Sequence, residues 1–489
     1  AYGSITLSGV VNDDIVNATG IFTFDSIFPG TDKTVTVADV LLYGTDADNY
    51  LLSSTSATVT ATITYDINSG NDDGIAVYVN GQSETAAQAS TEEEDGKKVT
   101  TITVDDNKIK AKLESEGNNS TVTILFDETP DTLISQLNGQ TIKNMEDKEA
   151  VLEIKTSNIV YTIPASQINI DDVASKLEDV SKLSDIEVSV NIKNPPDDTV
   201  KIVQNTADIN NYSIVIEPIQ FSITCTSKSG EVEVTKFNSY VERLIAIPEG
   251  VDPYKITTGI VLNEDGSFTH VPTQIVIIEG KYYARINSLT NSVYSLIWNK
   301  AEFTDISGHW AEQLIYDMSS RLVVKGISEG LFAPSKSITR AEFADVIIRG
   351  LGLLRIGSGK QVFSDVTSEN EYFDSISIGY DYGIINGIGN GLYDPVKIIT
   401  REQAMLMLYR AMKITGLDTS MKSSDIARFN ASFDDDSLYS NWSLDSAAAC
   451  FKYGIIEGKG DRVSDPLDDL SRAESAAMIR RLLIAAGLI

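Results

Sequence analysis

The spacing of apolar residues along the chain changes near residue 300. Before it, apolar and β-branched residues alternate with polar ones or form short runs, as in residues 5–11, 56–65 and 120–127. Such patterns predict β-strands. After it, apolar residues recur every three or four positions, as in residues 340–354 and 472–487, which predicts amphipathic helices. The chain is therefore expected to be a multidomain protein with β-rich modules followed by an all-α region.

Breaks in this pattern divide the chain of 489 residues further. Residues 131–147 and 171–185 have helical spacing but lie among predicted strands, which indicates an α+β module. Acidic, Gly-rich runs are typical of a linker, and the sequence NPPDD at 194–198 indicates a boundary. The predicted segments are a β-sandwich-like module (1–66), a linker (67–97), an α+β module (98–194), a β-rich module (195–300) and a helical region (301–489).

The helical region contains the same motif three times. The sequences ITRAEF, ITREQA and LSRAES place an Arg at positions 340, 401 and 472, which are 61 and 71 residues apart. A Gly precedes each Arg by 14 residues. An internal repeat of this kind indicates that one structural unit recurs. The predicted repeats are 301–357, 358–417 and 430–489, and their glycines are Gly326, Gly387 and Gly458.

Each motif has the form of a helix capping box. Thr339 and Glu342 are spaced to satisfy each other's backbone amides at a helix start, and Thr400 with Gln403 and Ser471 with Glu474 repeat that spacing. Each Arg then occupies the first helical position, where the helix dipole disfavours a cation.

This conflict with local electrostatics indicates a function for the three Arg residues. A guanidinium beside helix N-terminal amides is suited to bind a carboxylate or phosphate. A structural alternative, which is compatible with ligand binding, is an ion pair with a carboxylate of a neighbouring repeat. The carboxylates considered are those of Asp305, Asp365 and Asp435.

A Phe-x-Asp sequence and a later aromatic residue also recur in each repeat. The Phe residues are 303, 363 and 433, and each is followed by one of the three aspartates. An aromatic ring packs well on the apolar face of a sugar, so the later aromatic residues indicate a carbohydrate platform. Packing in the core is the alternative. These aromatic residues are Trp310, Tyr372 and Trp442.

Together these motifs resemble the S-layer homology domain, over residues 303–485. The resemblance implies that the three repeats form a three-fold pseudo-symmetric, all-α unit within one chain. It also implies binding of secondary cell wall polymer at a pyruvylated N-acetylmannosamine, whose carboxylate meets the Arg. The site residues that it implies are Arg340, Arg401, Arg472, Asp305, Asp365, Asp435, Trp310, Tyr372, Trp442, Gly326, Gly387 and Gly458.

The third repeat departs from the other two. Arg462 stands where the other repeats have Gly330 and Gly391, and residues 463–464 also differ from their counterparts. We hypothesise that the groove of this repeat, represented by Arg472, binds the polymer more weakly or has only a structural role.

The preceding modules carry two weaker resemblances. Residues 30–52 resemble the YDG-type β repeat of large bacterial surface proteins, in which such stretches recur in tandem. Residues 98–300 resemble the region ahead of the anchor in clostridial and related Gram-positive surface-layer proteins. Because one copy of the β repeat is present, we expect a longer stalk to precede Ala1.

The charge of the chain argues against nucleic-acid binding. The net charge is −31 and the isoelectric point is about 4.4, whereas binding to phosphates requires a basic face. An acidic chain suits a calcium-rich setting. Residues 11–17 and 66–73 carry alternating oxygen ligands, and we hypothesise that they bind structural calcium. No other cofactor is expected. The sequence has no apolar run of about 18 residues, so no membrane span is predicted.

The titratable and thiol residues do not indicate an enzyme. His270 and His309 lack the sequence partners of a zinc site or a catalytic triad. Cys225 and Cys450 fall in different predicted domains, so no disulfide is indicated.

We therefore expect a non-enzymatic, extracellular surface-layer protein. Its helical region would anchor it to the cell wall, and the β-rich modules would self-associate into a lattice or filament. The alternative is the stalk and anchor of a larger surface enzyme or adhesin whose working domain precedes residue 1.

Overall fold

The computed structural model describes residues 5–11, 14–24, 30–63, 74–178 and 180–489. Strands dominate before residue 300 and helices follow it, which confirms the change in architecture expected from the apolar spacing. The proposed calcium loop at 66–73 lies outside the described residues, as do two residues of the loop at 11–17.

The strands alternate with short turns along the first 300 residues. They are β1 (Asn17–Phe24), β2 (Gly30–Tyr43), β3 (Ala57–Ile63), β4 (Gly74–Val79), β5 (Gln82–Glu94), β6 (Lys97–Val104), β7 (Thr121–Phe126), β8 (Thr132–Asn138), β9 (Val151–Thr156), β10 (Ile159–Pro164), β11 (Glu187–Lys193), β12 (Ser213–Ser227), β13 (Gly230–Glu233), β14 (Lys236–Ala246), β15 (Thr258–Leu262), β16 (Phe268–Val271), β17 (Thr273–Ile278), β18 (Lys281–Thr290) and β19 (Val293–Trp298).

The longer helices lie mainly in the C-terminal region. In the described residues, no helix is both long enough and apolar enough to cross a membrane. The helices are α1 (Asp106–Glu116), α2 (Gly139–Glu146), α3 (Ile170–Lys176), α4 (Asp197–Asn210), α5 (Glu312–Ser320), α6 (Arg340–Gly350), α7 (Phe373–Asp381), α8 (Arg401–Ile414), α9 (Ser423–Ser432), α10 (Leu444–Lys452) and α11 (Arg472–Ala485).

The first three strands form an antiparallel sheet in the order β1-β2-β3. Val35, Val37 and Val40 of β2 are all buried, although strict alternation would place Val40 on the opposite face. A register shift opposite Asp39, which has a φ of 51°, explains this, because a β-bulge reverses the facing of the residues beyond it. Within the described part of residues 1–66 this is a single sheet, rather than the two sheets of the predicted sandwich.

A second sheet of 16 strands contains β4 to β19. Its order is β16-β15-β19-β12-β11-β8-β6-β5-β4-β7-β9-β10-β14-β18-β17, with β13 beside β12. Pairs β6–β8 and β7–β9 are parallel. One hydrophobic cluster joins residues from distant parts of this order, including Val77, Ile154, Val190 and Ile286, so the sheet folds over a shared core.

This continuous sheet corrects two predicted boundaries. Residues 74–97, expected to belong to a linker, form β4, β5 and the turn into β6, and the rest of that segment lies outside the described residues. The expected boundary at 194–198 falls between β11 and α4, but β11 pairs with both β8 and β12. One sheet therefore spans both predicted modules.

The two helical predictions within this region were only partly correct. In residues 131–147, the first half is strand β8 and the second half is helix α2. Leu133 and Leu137 of β8 point into the core, and Asn138 then caps the helix by accepting a bond from the amide of Thr141 at 2.8 Å. In residues 171–185, the α-helix ends at Lys176.

The three helical repeats meet in a closed ring of backbone hydrogen bonds. Ile338 donates to Leu470 at 2.8 Å, Leu470 donates to Ile399 at 3.0 Å, and Ile399 donates back to Ile338 at 3.1 Å. Each residue lies just before the Thr or Ser that caps a long helix. The ring therefore fixes the starts of α6, α8 and α11 relative to one another.

The helical region also contacts the large sheet. Tyr240 donates to the carbonyl of Leu351 at 2.8 Å, and Arg355 donates to the hydroxyl of Thr290 at 2.6 Å. His270 of β16 is buried at this junction, 1% exposed, where α6 packs on the strand.

Candidate functional site

The repeated motif begins a long helix in each repeat, as predicted. Arg340, Arg401 and Arg472 are the first residues of α6, α8 and α11. Both bonds of the capping box form at Thr339 and Ser471, whereas the buried hydroxyl of Thr400 has no hydrogen-bond partner. The amide of Thr339 donates to Glu342 at 2.7 Å, and the corresponding bond at Ser471 is 2.8 Å. It is weakest at Thr400, where the Gln403 oxygen is 3.5 Å from the amide.

Each of these Arg side chains reaches into the next repeat. The Nε group of every one donates to a backbone carbonyl there, so repeat one contacts repeat two, two contacts three, and three contacts one. These bonds are Arg340 to Tyr393 at 3.1 Å, Arg401 to Ser464 at 2.8 Å and Arg472 to Phe332 at 2.9 Å. The three Arg residues therefore have a structural role in closing the ring.

Two of the three Arg residues also face a carboxylate across the repeat boundary. Arg401 pairs with Glu474 at 2.6 Å, and Arg472 lies 3.9 Å from Glu342. Gln403 occupies the corresponding position opposite Arg340. The structural alternative of inter-repeat ion pairs thus holds for two repeats, but with Glu residues of the capping boxes rather than with the expected aspartates.

The aspartates of the Phe-x-Asp sequences bind backbone amides instead. The carboxylate of Asp305 accepts from Phe332 at 2.9 Å and from Ala333 at 2.6 Å. Desolvation would raise the pKa of Asp305, but these two amides hold it below its usual value. Asp365 and Asp435 accept from pairs of amides at the matching places in their repeats. The three aspartates tie loops together and do not line the clefts described below.

The repeated glycines are required by close packing against the Phe of the same repeat. A Cβ atom at Gly326 would lie 2.7 Å from the carbonyl of Leu331 and 2.9 Å from the ring of Phe303. Gly387 and Gly458 are equally crowded by their own Phe rings and carbonyls. Because these contacts leave no room for a side chain, only Gly fits at the three positions without a shift of the loop or the ring.

Three clefts lie between the repeats, with volumes of about 490, 260 and 160 Å³. Each combines residues from different repeats around one Arg. The first contains Trp310, Arg401 and Gly458, the second Tyr372, Arg472 and Gly326, and the third Arg340 and Gly387.

The aromatic residues are placed unequally. Trp310 is 61% exposed and Tyr372 is partly buried, and both line clefts. Trp442 is 50% exposed but does not line the Arg340 cleft. Exposed rings beside a cation suit a sugar that carries an acidic group.

The clefts also contain basic residues that the sequence analysis missed. Lys325 lines the Arg472 cleft, Lys459 and Arg481 line the Arg401 cleft, and Arg410 lines the Arg340 cleft. A repeat signal was present in the sequence, because an Arg stands nine residues after each motif Arg. These second arginines are Arg349, Arg410 and Arg481.

The unusual segment of the third repeat lies beside Arg401 rather than Arg472. The guanidinium groups of Arg340 and Arg472 each sit over an aromatic ring, at 4.8 and 4.7 Å from its centre. At Arg401 the corresponding residue is Ser464, which has no ring. Because each cleft forms between two repeats, the unusual residues of the third repeat alter the surroundings of Arg401. They give no reason to expect weaker polymer binding at Arg472, as the hypothesis from the sequence had it.

The histidines and cysteines form no comparable site. Burial lowers the pKa of His270 to about 3, so this residue is neutral at ordinary pH. In the described residues, no three His, Cys, Asp or Glu side chains come together as a metal ion would require. Both cysteines are buried, and burial raises the pKa of Cys225 to about 12.

Two parts of the chain match the models of known families. Residues 302–344 and 362–405 match the family model of the S-layer homology domain, and residues 1–58 match that of the YDG domain. The chain therefore carries S-layer homology domains in its first two helical repeats and a YDG domain at its N-terminus.

The similar proteins include surface-layer proteins and enzymes. An amylopullulanase from Thermoanaerobacterium thermosulfurigenes is 28% identical over 71% of this chain and 18% of the enzyme. Exoglucanase XynX from Acetivibrio thermocellus is 34% identical over 40% of this chain and 17% of the enzyme. S-layer protein sap from Bacillus anthracis is 30% identical over 37% of this chain and 21% of that protein. The chain thus spans about a fifth of the length of these relatives.

Proposed function

We propose that this chain, which carries S-layer homology domains, holds a surface protein to the bacterial cell wall without a covalent bond. The supporting observation is the repeated construction of each cleft, in which one Arg and one close-packed Gly from different repeats meet. Such a cleft offers a cation and backbone groups to an acidic sugar. The protein would act outside the cell as an anchor rather than as an enzyme.

The three repeats are proposed to form a three-fold pseudo-symmetric unit. Three sets of contacts support this arrangement: the ring of backbone bonds, the three Arg-to-carbonyl bonds and the three aspartate loops. Each set recurs in all three repeats. The backbone bonds donate from repeat one to three to two, the Arg bonds donate from repeat one to two to three, and each aspartate binds amides of its own repeat. The third repeat, 430–489, takes part in every set.

The proposed ligand is secondary cell wall polymer with an acidic amino sugar at its end. A pyruvate ketal on N-acetylmannosamine would bring its carboxylate to the motif Arg. Trp310 and Tyr372 line two of the clefts, where they would contact the sugar. Because the aspartates bind amides, they are proposed to shape the clefts indirectly.

Binding of the full chain to isolated wall polymer tests this proposal. We expect the chain to co-sediment with the polymer, and to lose that binding when the pyruvyl groups are removed chemically. Equal binding before and after removal would show that the acidic group is not recognised.

The modules before residue 300 are proposed to assemble with copies of themselves into a lattice or filament. Relatives named as surface-layer proteins support this reading. The enzymes among the relatives are compatible with a second candidate, in which this chain is the stalk and anchor of a larger surface enzyme. Electron microscopy of the purified chain with Ca²⁺ would show ordered arrays in the first case and separate particles in the second.

A further inference from the structure

The three clefts differ in the acidic residues beside their arginines. The Arg401 cleft contains Glu457 and Glu474. The Arg472 cleft contains three acidic residues, whereas the lining of the Arg340 cleft contains none. At the positions where the other clefts carry acidic side chains, this lining has Asn386, Gln403 and Leu406.

Two guanidinium groups share the Arg340 cleft, and both bind to Asn386. Arg340 donates to the backbone carbonyl of Asn386 at 3.4 Å. The side-chain amide of Asn386 is satisfied on both sides when its oxygen accepts from Arg410 at 3.2 Å and its nitrogen donates to Ile385 at 2.8 Å. The two cations therefore both contact one neutral residue.

The second arginines of the other repeats are neutralised. Arg349 pairs with Asp345 at 2.6 Å, and Arg481 pairs with Glu457. Arg410 has no carboxylate partner among the described residues, and the same holds for Arg340. Burial lowers the pKa of Arg410, and the nearby charge of Arg340 lowers it further. A bound anion would relieve this repulsion between like charges.

The capping box of α8 gives a second reason to regard the Arg340 cleft as different from the other two. Glu at the third helical position binds the cap amide at 2.7 or 2.8 Å in α6 and α11, whereas Gln403 in α8 is 3.5 Å from it. A Glu would also interact favourably with the helix dipole. Gln403 is thus the weaker choice for the helix, but it leaves Arg340 without a neutralising partner.

We propose that the Arg340 cleft is the principal anion-binding site of the anchor, with Arg410 as its second cationic contact and Gln403 as the residue that keeps it positively charged. This inference rests on the proposed function, because it assigns the acidic group of the wall polymer to one of three clefts. The carboxylate bridges the two guanidinium groups across the boundary between repeats one and two. The Arg401 and Arg472 clefts, in which carboxylates already face the Arg, contribute mainly sugar contacts and ring closure.

Calorimetric titration of the full chain with the methyl glycoside of pyruvylated N-acetylmannosamine tests the assignment. We expect Gln403→Glu to weaken binding at least tenfold, while the helical region unfolds at the same or a higher temperature than wild type. Gln313→Glu is the matched control, since it adds the same charge on an exposed position of α5 away from the clefts, and it should leave the affinity within twofold of wild type.

A second variant keeps the test decisive if Gln403→Glu folds poorly. Arg410→Gln leaves the capping box intact and should weaken binding at least fivefold. Wild-type affinity in Arg410→Gln, or in a folded Gln403→Glu, would overturn the assignment while the anchoring function stands. If the wild-type chain does not bind the pyruvylated glycoside at all, the proposed ligand itself is wrong, and this inference falls with it.

Discussion

Replacement of Gly387 by Ala tests the close packing behind each cleft. The added Cβ atom would lie 2.5 Å from the carbonyl oxygen of Leu392 and 2.7 Å from the ring of Phe363. Comfortable carbon contacts need roughly 3.5–4.0 Å, so the loop or the ring must move by about 1 Å. The Leu392 carbonyl cannot move freely, because it accepts the amide of Ile388 at 2.8 Å.

Overpacking of this kind costs about 1–3 kcal/mol. Gly391→Ala is the matched control within the same turn. Gly391 has a φ of +72° and open space around its Cα, so the control carries a backbone penalty of about 1 kcal/mol and no steric one. We expect Gly387→Ala to be the more destabilising change.

Urea unfolding followed by helical circular dichroism at 222 nm measures both variants. The midpoint for Gly387→Ala should lie below that for Gly391→Ala, and both should lie below wild type. A midpoint for Gly387→Ala equal to or above that of its control would refute the steric account of the repeated glycine.

Three further changes test other parts of the structure. Asp365→Asn leaves one of two backbone amides without a carboxylate acceptor. It should lower the free energy of unfolding, measured by urea titration, by about 1–2 kcal/mol. An unchanged free energy would mean that other contacts hold the loop. Arg462→Gly removes a side chain from a residue with a φ of 61° and breaks an exposed ion pair with Asp434, so we expect a gain of up to about 1 kcal/mol, and a loss would show that the pair outweighs the strain. His270→Phe should reduce the acid sensitivity of the protein, because burial lowers the pKa of His270 to about 3 in the native state. As the pH falls from about 6.5 to 3, protonation then favours the unfolded state by at most about 1.4 kcal/mol per pH unit. The unfolding free energies of both proteins between about pH 7 and 4 give the two slopes, and parallel slopes would contradict the low native pKa.

The local features of the helical region could be predicted from the sequence. A capping box depends on residues three apart, so Thr339 and Glu342 identified a helix start without any knowledge of the fold. The partners of Arg340 could not be predicted, because they lie in the next repeat and depend on the order in which the repeats close the ring. The role of Asp305 was missed for the same reason, since its amide partners are more than 25 residues away.

The β-rich region was harder to predict because its strands differ in how many of their side chains are buried. Strand β5 buries only Ala86 and Ala87, and apart from the exposed Ala89 its remaining residues are polar or acidic, which in sequence is typical of a linker. Its pairing with β4 and β6, rather than its own side chains, determines its structure. In residues 131–147, strand β8 is followed directly by the capped helix α2. The apolar residues of these two elements together were therefore interpreted as the face of a single helix.

The dual role of the motif arginines affects how mutations in the anchor should be interpreted. Each Arg closes the ring through its Nε group, and Arg340 also donates from its Nη2 group to the carbonyl of Asn386 while lining the proposed ligand site. Replacing Arg340 by Ala removes a bond between repeats together with a ligand contact, so a loss of binding alone does not show that the residue touches the polymer. A change at Gln403 separates the two roles, because this side chain affects the charge of the cleft and leaves the Arg340–Tyr393 bond in place. An anion held by Arg340 and Arg410 would also join the first two repeats, so by thermodynamic linkage ligand binding and ring closure must strengthen each other.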